Sequence, residues 1–104
     1  GVTGGSWVAE TSNQTLDETD NFVEIGTLSA DITITLPACN ATRNGWEYTI
    51  HKTGTDTDGV TIDPNGSETF TDGASTKTLY SQGTSADCKC RWNGSAGTWV
   101  FKTN

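Results

Sequence analysis

Apolar and polar positions alternate through much of this chain, most regularly between Asp31 and Thr53. Ile32, Ile34 and Leu36 alternate with Thr33 and Thr35, and Trp46, Tyr48 and Ile50 alternate with Glu47, Thr49 and His51. A two-residue period sends successive side chains to opposite faces, so each run predicts a strand with one face on a core. Pro37 ends the first run. The Asn- and Gly-containing stretch that follows predicts a chain reversal pairing the second strand with the first or close to it.

The same grammar recurs on both sides of this stretch. Trp7 to Ala9 and Asn21 to Leu28 precede it; Val60 to Ile62, Glu68 to Phe70, Thr76 to Ser81, Ala86 to Trp92 and Thr98 to Lys102 follow. The separators are turn chemistry: Gly54 to Gly59, Asp63-Pro64-Asn65-Gly66, Asp72-Gly73, Gln82-Gly83-Thr84 and Asn93-Gly94. Asn93-Gly94 predicts a tight hairpin. No window places apolar residues at the three- and four-residue spacing of a helix. The expectation is an all-β fold: a small antiparallel β-sandwich or jelly-roll-like domain of about seven to nine short strands. It spans residues 1–104 as a single domain, with 1–10 a linker stub or an interface strand. Its core is expected to hold Ile32, Ile34, Leu36, Tyr48, Ile50, Val60, Ile62, Leu79 and Trp99.

Composition qualifies this picture. Only 32% of the 104 residues are hydrophobic, and about one residue in five is Thr. Thr suits a pleated surface sterically and keeps the outer face wet. So polar a chain invites a reading as disordered. Four Trp, three Phe and two Tyr set in alternating segments argue for a folded domain instead. A core this small favours recruiting other copies, and the apolar Trp7-Val8 segment is a candidate contact for them. The net charge of −7 disfavours nucleic acid. No apolar run is long enough to cross a bilayer, so no membrane insertion is expected. The chain begins without Met and reads as a processed product or an excised fragment.

Candidate chemistry is sparse. His51 is the single histidine, and no Ser or Cys stands in the context of an activated nucleophile, so no enzyme is expected. Asp56, Asp58 and Asp63 cluster around Gly59 but lack the distal bidentate Glu of a calcium loop, and read as turn carboxylates. Of Cys39, Cys88 and Cys90, the last two share a strand face about 6.6 Å apart and are too far apart to bond readily. Cys39 is within reach of either, so a disulfide from Cys39 to Cys88 or Cys90 stands beside the alternative of three buried thiols. No metal or cofactor is expected, and the fold is expected to survive both chelator and reductant. Asn13, Asn40, Asn65 and Asn93 each begin an N-glycosylation acceptor pattern.

The order of segments from Phe22 to Phe101 resembles β-structured head or knob domains of bacteriophage tail fibres and other virion surface proteins. The matching pieces are Ile32-Thr-Ile-Thr-Leu-Pro-Ala38, Tyr48-Thr-Ile-His-Lys-Thr53, Val60-Thr-Ile-Asp63, Asp72-Gly73-Ala74 leading to Thr78-Leu79, and Asn93-Gly94 before Trp99. The chain departs from that pattern at Cys88, Cys90 and Trp92. The resemblance implies a non-enzymatic virion surface or extracellular protein, a fibre-head or spike domain, commonly trimeric, that attaches to a host surface receptor. Contact is expected from turns at one end, Thr53 to Gly59 and Ser81 to Ser85, with Asp56, Asp58, Gln82 and Thr84 as contact residues beside Trp7 and Val8. The alternatives are a capsid decoration or structural filament subunit contacting other virion proteins, and a carbohydrate-binding module of a secreted enzyme with an exposed Trp as sugar platform.

Overall fold

The alternating runs form strands. The computed structural model describes residues 7–17 and 21–103, with side chains described from residue 11 onward. It forms β1 (Trp7–Glu10), β2 (Gln14–Thr15), β3 (Phe22–Ile25), β4 (Ile32–Thr35), β5 (Glu47–Lys52), β6 (Val60–Asp63), β7 (Thr69–Phe70), β8 (Lys77–Leu79), β9 (Ser85–Trp92) and β10 (Gly97–Thr103). The two-residue strands β2 and β7 carry the count past the expected seven to nine. No helix occurs among the described residues.

The strands build two sheets, a larger one in the order β1-β3-β5-β9-β10-β7 and a smaller one in the order β2-β4-β6-β8. From β1 to β6 the chain alternates between them. Each strand lies parallel to the one two before it: β3 to β1, β4 to β2, β5 to β3 and β6 to β4. The first six strands therefore wind as three flattened coils, each contributing one strand to each sheet.

Two expectations are corrected here. The sandwich is mixed rather than antiparallel, and its parallel coils are not the antiparallel Greek keys of a jelly roll. Nor do the two runs around Asn40 pair: β4 lies between β2 and β6, while β5 lies between β3 and β9 in the other sheet. The connection from 36 to 46 is long enough to cross the roughly 10 Å between stacked sheets. It is pinned on both sides, with Leu36 N donating to Asp63 O at 2.9 Å and Gly45 N to Cys90 O at 2.9 Å.

After β6 the coil is capped by antiparallel pairing. β8 runs against β6, β9 against β5, and β10 against β9; β10 then lies parallel to β7. The hairpin at Asn93-Gly94 forms, but as a four-residue loop in which Asn93 N donates to Ala96 O at 3.1 Å. Gly94 alone there takes positive φ, at 101°. Asn93 escapes that requirement because its Oδ1 closes the turn, accepting the amides of Ser95 at 3.0 Å and Ala96 at 2.8 Å.

One cluster of buried side chains spans both sheets and contains all nine residues expected in the core, together with Leu16, Val23, Ile25, Phe70, Ala86 and the three cysteines. The inward positions of β9 are small, namely Ala86, Cys88 and Cys90. Neighbouring strands use the space: Tyr48 on β5 and Phe101 on β10 flank Cys88 in register. Tyr48 and Trp99 meet edge to face at 5.7 Å between ring centroids, and Phe70 and Phe101 at 5.2 Å. The small inward side chains of β9 thus make room for aromatic rings.

The pairing left open by the sequence is Cys39 to Cys90, with Cα atoms 5.3 Å apart and a sequence separation of 51. Cys88 stays a free, buried thiol whose pKa is pushed up to about 12, chiefly by burial. The bond ties the sheet crossing at Cys39 to β9, so the expectation of tolerance to reductant now concerns a covalent link that reduction would break. Gly97 is required beside it: a Cβ there would lie 2.1 Å from the Cys39 carbonyl oxygen.

The outer face of the smaller sheet carries a row of Thr. Thr33, Thr61 and Thr78 share one register row, and the hydroxyls of Thr61 and Thr78 are 3.2 Å apart. These β-branched hydroxyl side chains hold strand geometry while wetting the surface.

Candidate functional site

Strand direction brings three loops to one rim of the sandwich. β3, β5 and β8 all end there, and β4, β6 and β9 begin there. The loops 26–31, 53–59 and 80–84 are therefore neighbours despite their separation in sequence. The segments Thr53 to Gly59 and Ser81 to Ser85, singled out as contact turns, are fastened to each other. Gly83 N donates to Lys52 O at 2.8 Å, Lys52 N to Thr84 O at 2.9 Å, and Gln82 Nε2 to Thr53 O at 3.1 Å.

A buried cation organises this rim. Lys52 shares the inward parity of Tyr48 and Ile50 on β5 and is completely buried. An ammonium in such a place needs a close counter-charge. Asp56 supplies it, with Lys52 Nζ donating to Oδ2 at 2.8 Å. The same carboxylate accepts Leu28 N at 2.9 Å on Oδ1 and Asp58 N at 3.0 Å on Oδ2. Asp56 thus clasps strand β5, its own loop and the loop after β3. Hydrogen bonds from Lys52, Leu28 and Asp58 hold its pKa down at about 2.

The sign of the pH dependence follows. A carboxylate whose folded pKa lies below its unfolded value stabilises the fold above the ordinary carboxylate pKa, and that contribution is lost as pH falls. The expected window runs from about pH 4 down to about pH 2. Asp72, lowered in the same direction by Lys77 and the Ala74 amide, adds to the same limb. Urea unfolding across this window should show wild type losing stability more steeply than Asp56→Asn. Parallel acid limbs for the two proteins would contradict the clasp.

Glycine permits the rim to close. A Cβ on Gly54 would lie 2.6 Å from both Gly26 O and Thr27 Cα and 2.7 Å from Asp56 Oδ1. Backbone cannot yield as a flexible side chain does, so Gly54→Ala is expected to cost about 1–3 kcal/mol. Denaturant unfolding with an unchanged midpoint would show that the loops part without penalty.

The rim presents a mixed surface. Tyr80 is 58% exposed and lies against Gly59, where a Cβ would come within 3.1 Å of its Cε1. Asp31 Oδ1 accepts Gly59 N at 2.7 Å. Of the sequence-chosen residues, Gln82 is exposed, Asp58 and Thr84 are half-buried, and Asp56 is occupied with the clasp. The backbone of Trp7 and Val8 lies in β1, beside β3 of the same chain, and their side chains lie outside the described residues. Tyr80 and Lys52 were not singled out from sequence. Lys52 at the inward parity of a strand, four residues before an Asp, is the signal that would have found the clasp.

The remaining candidates do not assemble elsewhere. His51 lies between Glu24 and Ser85 in register on the outer face of the larger sheet. Among the described residues no group of three His, Cys, Asp or Glu stands together in a way that would hold a metal ion. Trp46 and Trp92 are partly buried and Trp99 fully, so among the residues whose side chains are described the exposed aromatic ring is Tyr80. No protein-family model matches the chain, and neither a curated protein nor a solved structure matches it.

Proposed function

We propose that this chain is a non-enzymatic surface domain of a virion, a fibre-head or spike domain that attaches to a host surface receptor through the rim formed by loops 53–59 and 80–84. The observation that carries this reading is the mutual fastening of those two loops over the Lys52–Asp56 clasp. Loops held before binding lose little conformational entropy on contact, which suits them to recognition on a rigid β scaffold. Tyr80 supplies an amphipathic ring and Gln82 an exposed amide beside it. On this reading several copies, three in the favoured form, stand side by side, and the acidic chain works outside the cell.

The test is binding of the purified chain to receptive host cells. Tyr80→Ala should weaken binding at least about tenfold, equivalent to 1.4 kcal/mol, with its melting temperature unchanged; Gln82→Ala should weaken binding as well while also loosening the loop it ties to Thr53 O. Wild-type binding matched by both variants would reject the rim as the contact. A monomeric mass in light scattering at micromolar concentration would reject the assembly.

A second reading, a capsid decoration or filament subunit, is favoured by a different observation. β1 and β2 are the edges of their sheets at the same end of the coil, and both pair in parallel with the strand beside them. Paired open edges of this kind invite further strands. Electron microscopy of the native particle distinguishes the two, since a decoration lies on a shell and a head stands at the tip of a fibre.

A further inference from the structure

We propose that Asn65 is a site of spontaneous covalent modification, converting to aspartate and isoaspartate through a cyclic imide formed with Gly66. Three Asn-Gly pairs occur in the chain, at Asn44, Asn65 and Asn93. Their side chains are not equally available. The reaction requires the backbone nitrogen of the following residue to reach the asparagine Cγ, so it needs a mobile amide and an unengaged N–H. Asn is accordingly among the thermolabile residues.

At Asn44-Gly45 both partners are occupied. Asn44 Oδ1 accepts Trp92 N at 3.0 Å, and Gly45 N donates to Cys90 O at 2.9 Å. At Asn93-Gly94 the amide oxygen accepts Ser95 N, Ala96 N and Ser95 Oγ, which fixes the side chain inside its own turn. At Asn65-Gly66 neither group is engaged among the described residues. Asn65, Gly66 and Ser67 are all exposed. A Cβ placed on Gly66 would meet nothing within 4 Å, so there is open space for ring closure and for water. Gly66 takes φ 55°, and the turn is held by Glu68 N donating to Asn65 O at 3.0 Å, which leaves the Asn65 amide free to swing.

The chemistry balances without any reagent beyond water. Gly66 N, giving up its proton, forms a bond to Asn65 Cγ; the Cγ–Nδ2 bond breaks and Nδ2 leaves as ammonia. Water then adds to one of the two imide carbonyls. Opening at Cγ restores the backbone and leaves aspartate. Opening at the main-chain carbonyl routes the backbone through Cγ, inserts one methylene, and leaves isoaspartate. Either product adds one negative charge.

The position has consequences downstream. Two residues after Gly66, the carboxylate of Glu68 accepts Cys39 N at 3.0 Å and 3.1 Å and Trp99 Nε1 at 3.1 Å. A longer backbone in the turn before Glu68 displaces that carboxylate from both donors. The rim proposed for receptor contact lies at the other ends of the strands.

Peptide mapping of the intact folded protein, aged at mildly alkaline pH, tests the proposal, with isoaspartate detected by an isoaspartate-specific methyltransferase. Conversion at Asn65 should outrun that at Asn44 and Asn93 by at least about tenfold, on the order of 1.4 kcal/mol in activation free energy. Asn65→Gln should abolish the new acidic species on ion exchange. Asn65 left intact in the folded chain, while the same peptide converts after unfolding, would overturn the proposal. So would comparable conversion at all three sites.

Discussion

Truncating Trp99 to alanine is expected to cost about 3–5 kcal/mol, the largest loss any one side chain of the core would cause. Trp99 is fully buried and is the largest residue so placed. Its ring meets Tyr48 edge to face, its indole nitrogen donates to Glu68, and its strand joins β9 to β7. Alanine leaves a cavity that neighbours on three strands cannot collapse into without losing register. A domain of this size has a total stability of roughly 5–15 kcal/mol, so the variant stands near unfolding. Trp99→Phe separates the two contributions: it keeps a ring in the cavity and loses the donor to Glu68, which is half-buried and regains water. Chemical denaturation of the three proteins should order them wild type, Trp99→Phe, Trp99→Ala. A loss below about 1 kcal/mol for alanine would mean that the core repacks freely, against the usual behaviour of close-packed interiors.

Reducing the Cys39–Cys90 bond is expected to have a comparable effect. The bond closes a loop across 51 positions, and in the chain-entropy model a loop of that length contributes roughly 4 kcal/mol by restricting the unfolded ensemble. For a domain of about 100 residues that corresponds to a fall in melting temperature of roughly 15–30 °C. Cys39→Ser with Cys90→Ser should melt at the lowered temperature whether or not reductant is present. Identical melts of wild type with and without reductant would remove the bond from any account of stability. Cys88 offers no rescue in the folded state, because its thiol at about 12 is almost never a thiolate at neutral pH.

The core was legible in the sequence because a two-residue period is a local signal. Ile32, Ile34, Tyr48, Ile50, Val60 and Ile62 alternate with polar neighbours, and all are buried. Strand partners were not legible. Parallel sheets usually carry cover on both faces and read as continuous apolar runs. Here each sheet has one wet face, so parallel strands carry the alternation of an antiparallel meander, and β4 and β5 looked like a hairpin. The candidate rim was legible in part. The turn residues of 53–59 and 81–85 marked two loops, and the structure brings both to one rim. Lys52 was missed because a charged residue continuing an apolar parity reads as the end of a strand until its counter-ion is seen. Tyr80 was missed because it follows Leu79 directly, and only the burial of Leu79 reveals that its neighbour points outward.

The place of β10 bears on how the protein is made. Among the described residues the strand neighbour of β7 is β10, which arrives in the chain only after β8 and β9. Contacts between segments so distant in sequence form slowly, since the intervening chain must be ordered first. Completing the fold therefore waits on β10, which carries Trp99 to the centre of the core. A chain cut back before Gly97 should be degraded readily by protease, and the chain that includes residues 97–103 should resist it.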